Sequence, residues 1–156
     1  VEAVFQTVCR DRGASLTITE PESIEVLSDG LAGQRFRYRD GQELRLPLLG
    51  AHQMKNAAVV IEAVELLRER GWKIEQDALE HGLYAVSWPA RFELLREEPP
   101  FVVDGGHNVQ CAETVADNLR RYFPDRRRVL LIGVLADKDV RGVVDALCPV
   151  FPATYI

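Results

Sequence analysis

The chain has 156 residues, 47% hydrophobic and 28% charged, enough for one modest core or two small ones. A formal net charge of -5 argues against a general nucleic-acid binder, whose affinity rests on clustered Lys and Arg. Arg126-Arg127-Arg128, the basic run, reads as a solvated loop before a strand. No apolar run approaches the ~18 residues of a membrane span and no signal-peptide pattern opens the chain; three dispersed cysteines, Cys9, Cys111 and Cys148, fit a reduced cytoplasmic compartment.

In chain order, Val1, Val4, Phe5, Val8 and Cys9 fall at helical spacing and stop at Gly13. No Met or N-cap precedes them, so the chain reads as starting inside a helix. Residues 15–19 and 24–28 are expected as short strands. Arg35-Phe36-Arg37-Tyr38-Arg39 then alternates charged with aromatic residues, Asp40-Gly41 signals a hairpin turn, and Leu44, Leu46 and Leu48 alternate on the return. The pattern predicts a β-ribbon with one aromatic and leucine face. Ala57, Val60, Ile61, Val64 and Leu67 mark a helix over residues 55–70 with an apolar stripe, ended by Gly71, and a shorter helix over 75–81 stops at Gly82.

At Ser87-Trp88-Pro89 the composition shifts, and the proline forces the preceding residue out of the helical region. A domain boundary placed there divides the chain into residues 1–86 and 87–156. Beyond it, strands are expected at 92–95, 101–104 and 129–135, alternating with helices at 111–122 and 139–147. That alternation predicts an α/β unit with a mostly parallel sheet and helical crossovers. Pro152 to Ile156 reads as a strand just starting, so the whole is expected to be a fragment of a longer protein.

Three polar clusters sit where these elements begin or end. In Asp104-Gly105-Gly106-His107-Asn108, between a strand and a helix, the turn glycines let backbone approach a ligand and the helix start favours anions. The alternative reading makes Asp104 and Asn108 turn and cap residues. Arg91 follows Trp88-Pro89 at the hinge, where a guanidinium can reach a ligand between domains or make an ordinary surface ion pair. His52 and Gln53 precede a helix, with Gln53 placed to act as a cap. Asn56 costs helix propensity in an early turn and so calls for a side-chain partner, either a ligand or a buried backbone group. Near the end, Asp139 is expected as an N-cap and Lys138 as a possible ligand contact. The spacing of His52, His81 and His107 matches no metal site, so none is expected from these residues.

Taken in order, Gly50-x-His52-Gln53-x-x-Asn56-Ala57, Trp88-Pro89-x-Arg91-Phe92-Glu93, Asp104-Gly105-x-His107-Asn108 and Gly133-x-x-x-Asp137-Lys138-Asp139 resemble the folylpolyglutamate synthase/dihydrofolate synthase family of the Mur ligase superfamily. The resemblance implies the end of a Mur ligase central domain followed by the first part of a Rossmann-like C-terminal domain. It implies an ATP-dependent ligase that activates a folate carboxylate as an acyl phosphate for attack by the amine of L-glutamate. Carried over residue by residue, Asn56 resembles an adenine contact, Arg91 a catalytic phosphate-binding arginine, and Asp104 a ribose-side carboxylate. His107 resembles a catalytic histidine near the nucleotide and the glutamate site. The implied cofactors are ATP and Mg2+, with the metal ligands outside this chain; the implied partners are folate, L-glutamate and ATP, with no nucleic acid or membrane, for a cytoplasmic monomer.

Ala90 stands where the family usually has glycine, Gly106 where alanine is usual, and Val109 where proline is common. No Gly-x-x-Gly-Lys-[Ser/Thr] phosphate loop occurs in the chain. Two rivals stay open: a peptidoglycan- or cyanophycin-type Mur ligase, against which His52-Gln53 argues, and a non-catalytic nucleotide-binding module.

Overall fold

The computed structural model describes residues 2–151. Val1 and the strand expected at Pro152 to Ile156 lie outside them. The first helix, α1 (Glu2–Arg12), buries none of its residues, and Val4, Phe5 and Val8 are exposed. Residues 15–19, expected as a strand, form no ladder.

Three antiparallel strands follow, β1 (Ile24–Gly30), β2 (Gly33–Tyr38) and β3 (Leu44–Leu46), in the order β1-β2-β3. Alternation along β2 puts Gln34, Phe36 and Tyr38 inside and Arg35 and Arg37 outside, as a period of two requires. Leu44 and Leu46 of β3 share the inner face with Phe36, which is wholly buried.

Helix α2 (Ala51–Glu69) begins four residues before its expected start at 55 and covers this face. Its buried stripe is Gln53, Met54, Ala57, Ala58 and Glu62, turned away from Val60 and Leu67, which are partly exposed. The buried Glu62 carboxylate is matched rather than orphaned: Tyr38 Oη donates to it at 2.8 Å and Arg39 pairs with it at 2.8 Å. The helix ends in a Schellman turn, with Gly71 at φ 89, Gly71 N donating to Arg68 O and Trp72 N to Leu67 O. Helix α3 (Gln76–Ala85) runs through Gly82 instead of stopping there, because Leu79 and Leu83 one turn apart both enter the core.

Beyond Trp88, β4 (Glu93–Glu97) and β5 (Pro100–Val103) form an antiparallel hairpin, with Glu93 opposite Val103. Helices α4 (Val109–Tyr122) and α5 (Val140–Leu147) pack together through Ala112 and Ala116 against Val143, Leu147 and Val150. The α/β class stands, with two corrections to the sheet. Pairing among the described residues is antiparallel, not mostly parallel, because the short connection after Glu97 folds β5 straight back on β4. Residues 129–135 make no ladder: Leu130 and Val134 face the helical core while Val129, Leu131 and Leu135 are exposed, Leu131 to 97%. The apolar run reports burial on one side and, among the described residues, has no strand beside it to bond.

Arg128 corrects the solvated-loop reading of its triplet. Its guanidinium donates to the carbonyls of Val150, at 2.8 Å, and Phe123, so it closes the end of α4. A third, small core joins the two parts of the chain, with Leu49 buried against Phe92 and Phe123. Among the described residues no helix is long and apolar enough to cross a membrane.

Candidate functional site

Two turns, one before β4 and one after β5, are tied to each other. Asp104 accepts from Phe92 N through Oδ2 at 2.8 Å and from Gly106 N through Oδ1 at 2.6 Å. Gly105 N donates to Ala90 O at 2.8 Å, and Glu93 Oε2 accepts from Ala90 N at 2.7 Å. These bonds hold Ala90 at φ 56 and Phe92 at φ 46, left-handed values that cost a residue other than glycine about 1–3 kcal/mol. The buried Phe92 ring anchors the turn from below.

Arg91, between the two left-handed residues, is pushed outward. It is exposed, its guanidinium carbon lies 5.4 Å from the centre of the Trp88 ring, and among the described residues neither a hydrogen bond nor an ion pair engages it. A cation stacked on an aromatic face keeps its orientation while its N–H donors remain open to a ligand. The ion-pair reading of Arg91 therefore does not hold. Asp104, by contrast, does act as a turn residue. Its two oxygens offer about four acceptor sites, so the two backbone bonds leave capacity for further donors.

The start of α2 is built differently. Gly50 at φ 104 is the N-cap residue and supplies no side-chain cap. Gln53 is not the cap expected of it; it is buried inside the first turn and its Oε1 accepts from Asn56 Nδ2 at 3.1 Å. That bond answers why asparagine is tolerated there. Asn56 is exposed, and its carbonyl oxygen and second N–H remain available.

His52 shows that the clusters meet. Burial pushes its imidazole below its ordinary value of 6.5; the nearby Asp104 carboxylate pulls the other way, and Arg91 and Lys55 push it further down. Groups from three separate stretches thus share one electrostatic neighbourhood, where His52 stays neutral at pH 7. His107 stands exposed on the same turn as Asp104, two residues beyond Gly105. Asn108 takes the cap role, accepting from Cys111 N at 2.8 Å, and Asp139 likewise caps α5 through Gly142 N at 2.9 Å. Lys138 pairs with Asp137 at 3.0 Å and is not among the charges acting on His52. Gly106 admits no side chain as the turn stands, since a Cβ would lie 2.8 Å from Asp104 Oδ1 and 2.9 Å from Cys111 Cβ.

The sequence does not single out Lys55 or Tyr122, yet both belong here. Tyr122 Oη accepts from Gly50 N at 2.9 Å and donates to Asp29 Oδ1 at 2.5 Å, while its ring lies 5.9 Å from that of Phe92. A tyrosine on the apolar face of an amphipathic helix reads as ordinary core, and no spacing signals a partner 72 or 93 positions away.

Residues 90–154 match the Mur ligase, glutamate ligase domain family. The dihydrofolate synthase/folylpolyglutamate synthase of Bacillus subtilis is 34% identical over 121 residues, covering 74% of this chain and 28% of that protein. A solved Mycobacterium tuberculosis folylpolyglutamate synthase complexed with ADP superposes with a TM-score of 0.82 at 32% identity, over 96% of this chain and 34% of that one. An FPGS–AMPPCP–folate complex superposes with a TM-score of 0.81 at 27% identity, over 96% and 38%. The chain thus spans roughly a third of the length of these relatives.

Proposed function

Because the chain belongs to the folylpolyglutamate synthase/dihydrofolate synthase family of Mur ligases, we propose that it forms one side of the nucleotide and glutamate site of an ATP-dependent ligase that adds L-glutamate to folate. Residues 1–86 are the end of the central, ATP-binding domain and residues 87–156 the first part of the glutamate ligase domain. What supports this reading is the fixed turn before β4, held by Asp104 and Glu93, which stacks the Arg91 guanidinium on Trp88 with no hydrogen bond or ion pair to it among the described residues, beside an imidazole, His52, on which Asp104, Arg91 and Lys55 act.

In this reading the folate carboxylate attacks the γ-phosphorus of ATP, the bond to the ADP oxygen breaks, and an acyl phosphate forms. The glutamate amine then attacks the acyl carbon, phosphate leaves with the C–O electron pair, and the amine loses a proton. Charge gathers on phosphoryl oxygens in the first step, and a guanidinium fixed beforehand stabilises it without reorganising. Arg91 fills that role. Asp104 accepts ribose hydroxyls through the acceptor sites its turn leaves free, and Asn56 offers its remaining amide groups to the adenine edge. His107, exposed at the rim, faces the incoming glutamate and is placed to take the amine proton. Mg2+ would neutralise phosphate charge, but among the described residues no three His, Cys, Asp or Glu side chains gather as a site, so no step is assigned to the ion on this chain. The protein is read as a cytoplasmic monomer acting on small molecules, with no nucleic-acid or membrane partner.

Phosphate release from the full-length ligase, measured with folate and glutamate each omitted in turn, tests the proposal. Release that requires both supports it. Dependence on a muramyl or peptide substrate instead, or nucleotide binding without turnover, overturns it. Replacing folate by dihydropteroate in the same assay decides whether the enzyme has the second synthase activity. The 156 residues alone, lacking a phosphate loop, are expected to release no phosphate above a no-protein control.

A further inference from the structure

Tyr122 touches both halves of the site through one hydroxyl and one ring face. Its hydroxyl accepts from the backbone N–H of Gly50, where the helix carrying His52 and Asn56 begins. Its ring lies against Phe92, whose own N–H is held by Asp104 next to Arg91. The same hydroxyl donates to Asp29, whose side chain is only 3% exposed and whose second oxygen pairs with Arg121 at 2.5 Å. Asp29 is therefore held from α4 by two adjacent residues. The fit around Gly50 is tight, since a Cβ there would fall 2.8 Å from the buried Asn118 amide of the same helix and 2.7 Å from His52 Cε1.

From this we infer that Tyr122, locked by Asp29, is a positioning residue that sets the spacing between the Asn56 side and the Arg91–Asp104 side of the nucleotide clamp. The inference rests on the ligase reading for its kinetic consequence, but the spacing itself is a property of the chain. A buried carboxylate that accepts from one tyrosine and is ion-paired with one arginine keeps both contacts only in one relative placement of its elements. Helix α4 thereby fixes the start of α2 at one distance from the Arg91 turn. The phenol stays protonated at neutral pH, because burial and the Asp29 hydrogen bond push it up to about 12, so the donor is always present.

The test is Tyr122→Phe in the full-length ligase, which keeps the ring against Phe92 and removes only the hydroxyl. Spin labels at Ala63→Cys on α2 and Glu113→Cys on α4, both exposed positions, report the spacing after Cys9, Cys111 and Cys148 are replaced by serine. The expected result is a broadened distance distribution together with about a tenfold fall in kcat and little change in the KM for folate. Asp29→Asn, which keeps an acceptor and loses the charge, should give the same pattern more weakly and guards against a Phe variant that does not fold. An unchanged distance distribution, whether or not the melting temperature falls, overturns the inference. So does a kcat within about twofold of the parent. If the parent shows no folate- and glutamate-dependent turnover, the ligase reading falls, and the distance distributions alone still decide the role of Tyr122.

Discussion

Around Arg91 the backbone is fixed by side chains: Asp104 and Glu93 accept from Phe92, Gly106 and Ala90, and without them two left-handed residues would relax. Around Asn56 the helix fixes the backbone, and the side chains bond one another, Asn56 to Gln53. The difference teaches that a polar residue in a motif is either holding the site or using it, and chemistry alone does not say which. Arg91 makes no hydrogen bond or ion pair among the described residues, whereas Asp104 holds the turn and, in the proposed site, would also bind.

The sharpest way to break this contrast is at Arg91. Arg91→Ala is expected to lower kcat of the full-length ligase by roughly 10²- to 10³-fold, the scale of one lost transition-state donor. The melting temperature should hardly move, since only the contact with Trp88 is lost. Arg91→Lys should recover little, because an ammonium lacks the planar fork. A large thermal shift with kcat intact would make Arg91 a structural residue.

At Asp104 the two effects should appear together. Asp104→Ala leaves the N–H groups of Phe92 and Gly106 without their acceptor, so a loss of about 1–3 kcal/mol is expected in urea denaturation, alongside a rise of roughly ten- to a hundredfold in the KM for ATP. Weaker ATP use with unchanged stability would contradict the dual role.

Smaller effects are expected where side chains hold no backbone group. His107→Ala should raise the KM for glutamate more than that for ATP, and Asn56→Ala the KM for ATP by about two- to tenfold, the worth of one neutral hydrogen bond. Both should leave stability within about 0.5 kcal/mol, as for exposed positions generally. Steady-state kinetics with each substrate varied separately checks the pair.

The smallest expected effect is on pH. His52 has a folded-state value below 6.5, so between that value and 6.5 the unfolded chain binds more protons than the folded one. Its contribution is complete above 6.5 and is lost as the pH falls toward the folded value. Comparing urea midpoints of the parent and His52→Gln from pH 7.5 to 5 should show a shallower acid decline in the variant; equal slopes would mean that folding does not depress the His52 imidazole by burying it.

Much of this was legible in the residues. Alternation gave β2 and β3, helical spacing gave α2, α4 and α5, and the polar clusters fall at the ends of elements. Periodicity reports which face is buried, not what lies opposite, so it could not distinguish a hairpin at 93–103 from a crossover, nor show that residues 129–135 pair with no strand among the described residues. Nor could it pair Tyr122 with Asp29 or turn Arg128 from a solvated residue into the closure of α4, since each depends on groups far apart in the chain. The shift in the buried stripe of α2 has a similar origin: Gln53 and Glu62 are buried because particular partners satisfy them, which a hydrophobic pattern does not count.

The pair of left-handed residues flanking Arg91 also bears on how far this motif can travel. A peptide of residues 88–93 would lack Asp104 and the Gly105 amide, and its backbone would settle into extended or right-handed conformations that no longer aim the guanidinium. Grafting this turn onto another scaffold would therefore require both strands of the β4–β5 hairpin with their cross-turn carboxylates, and a short mimic of the Trp88 to Glu93 sequence would not reproduce its geometry.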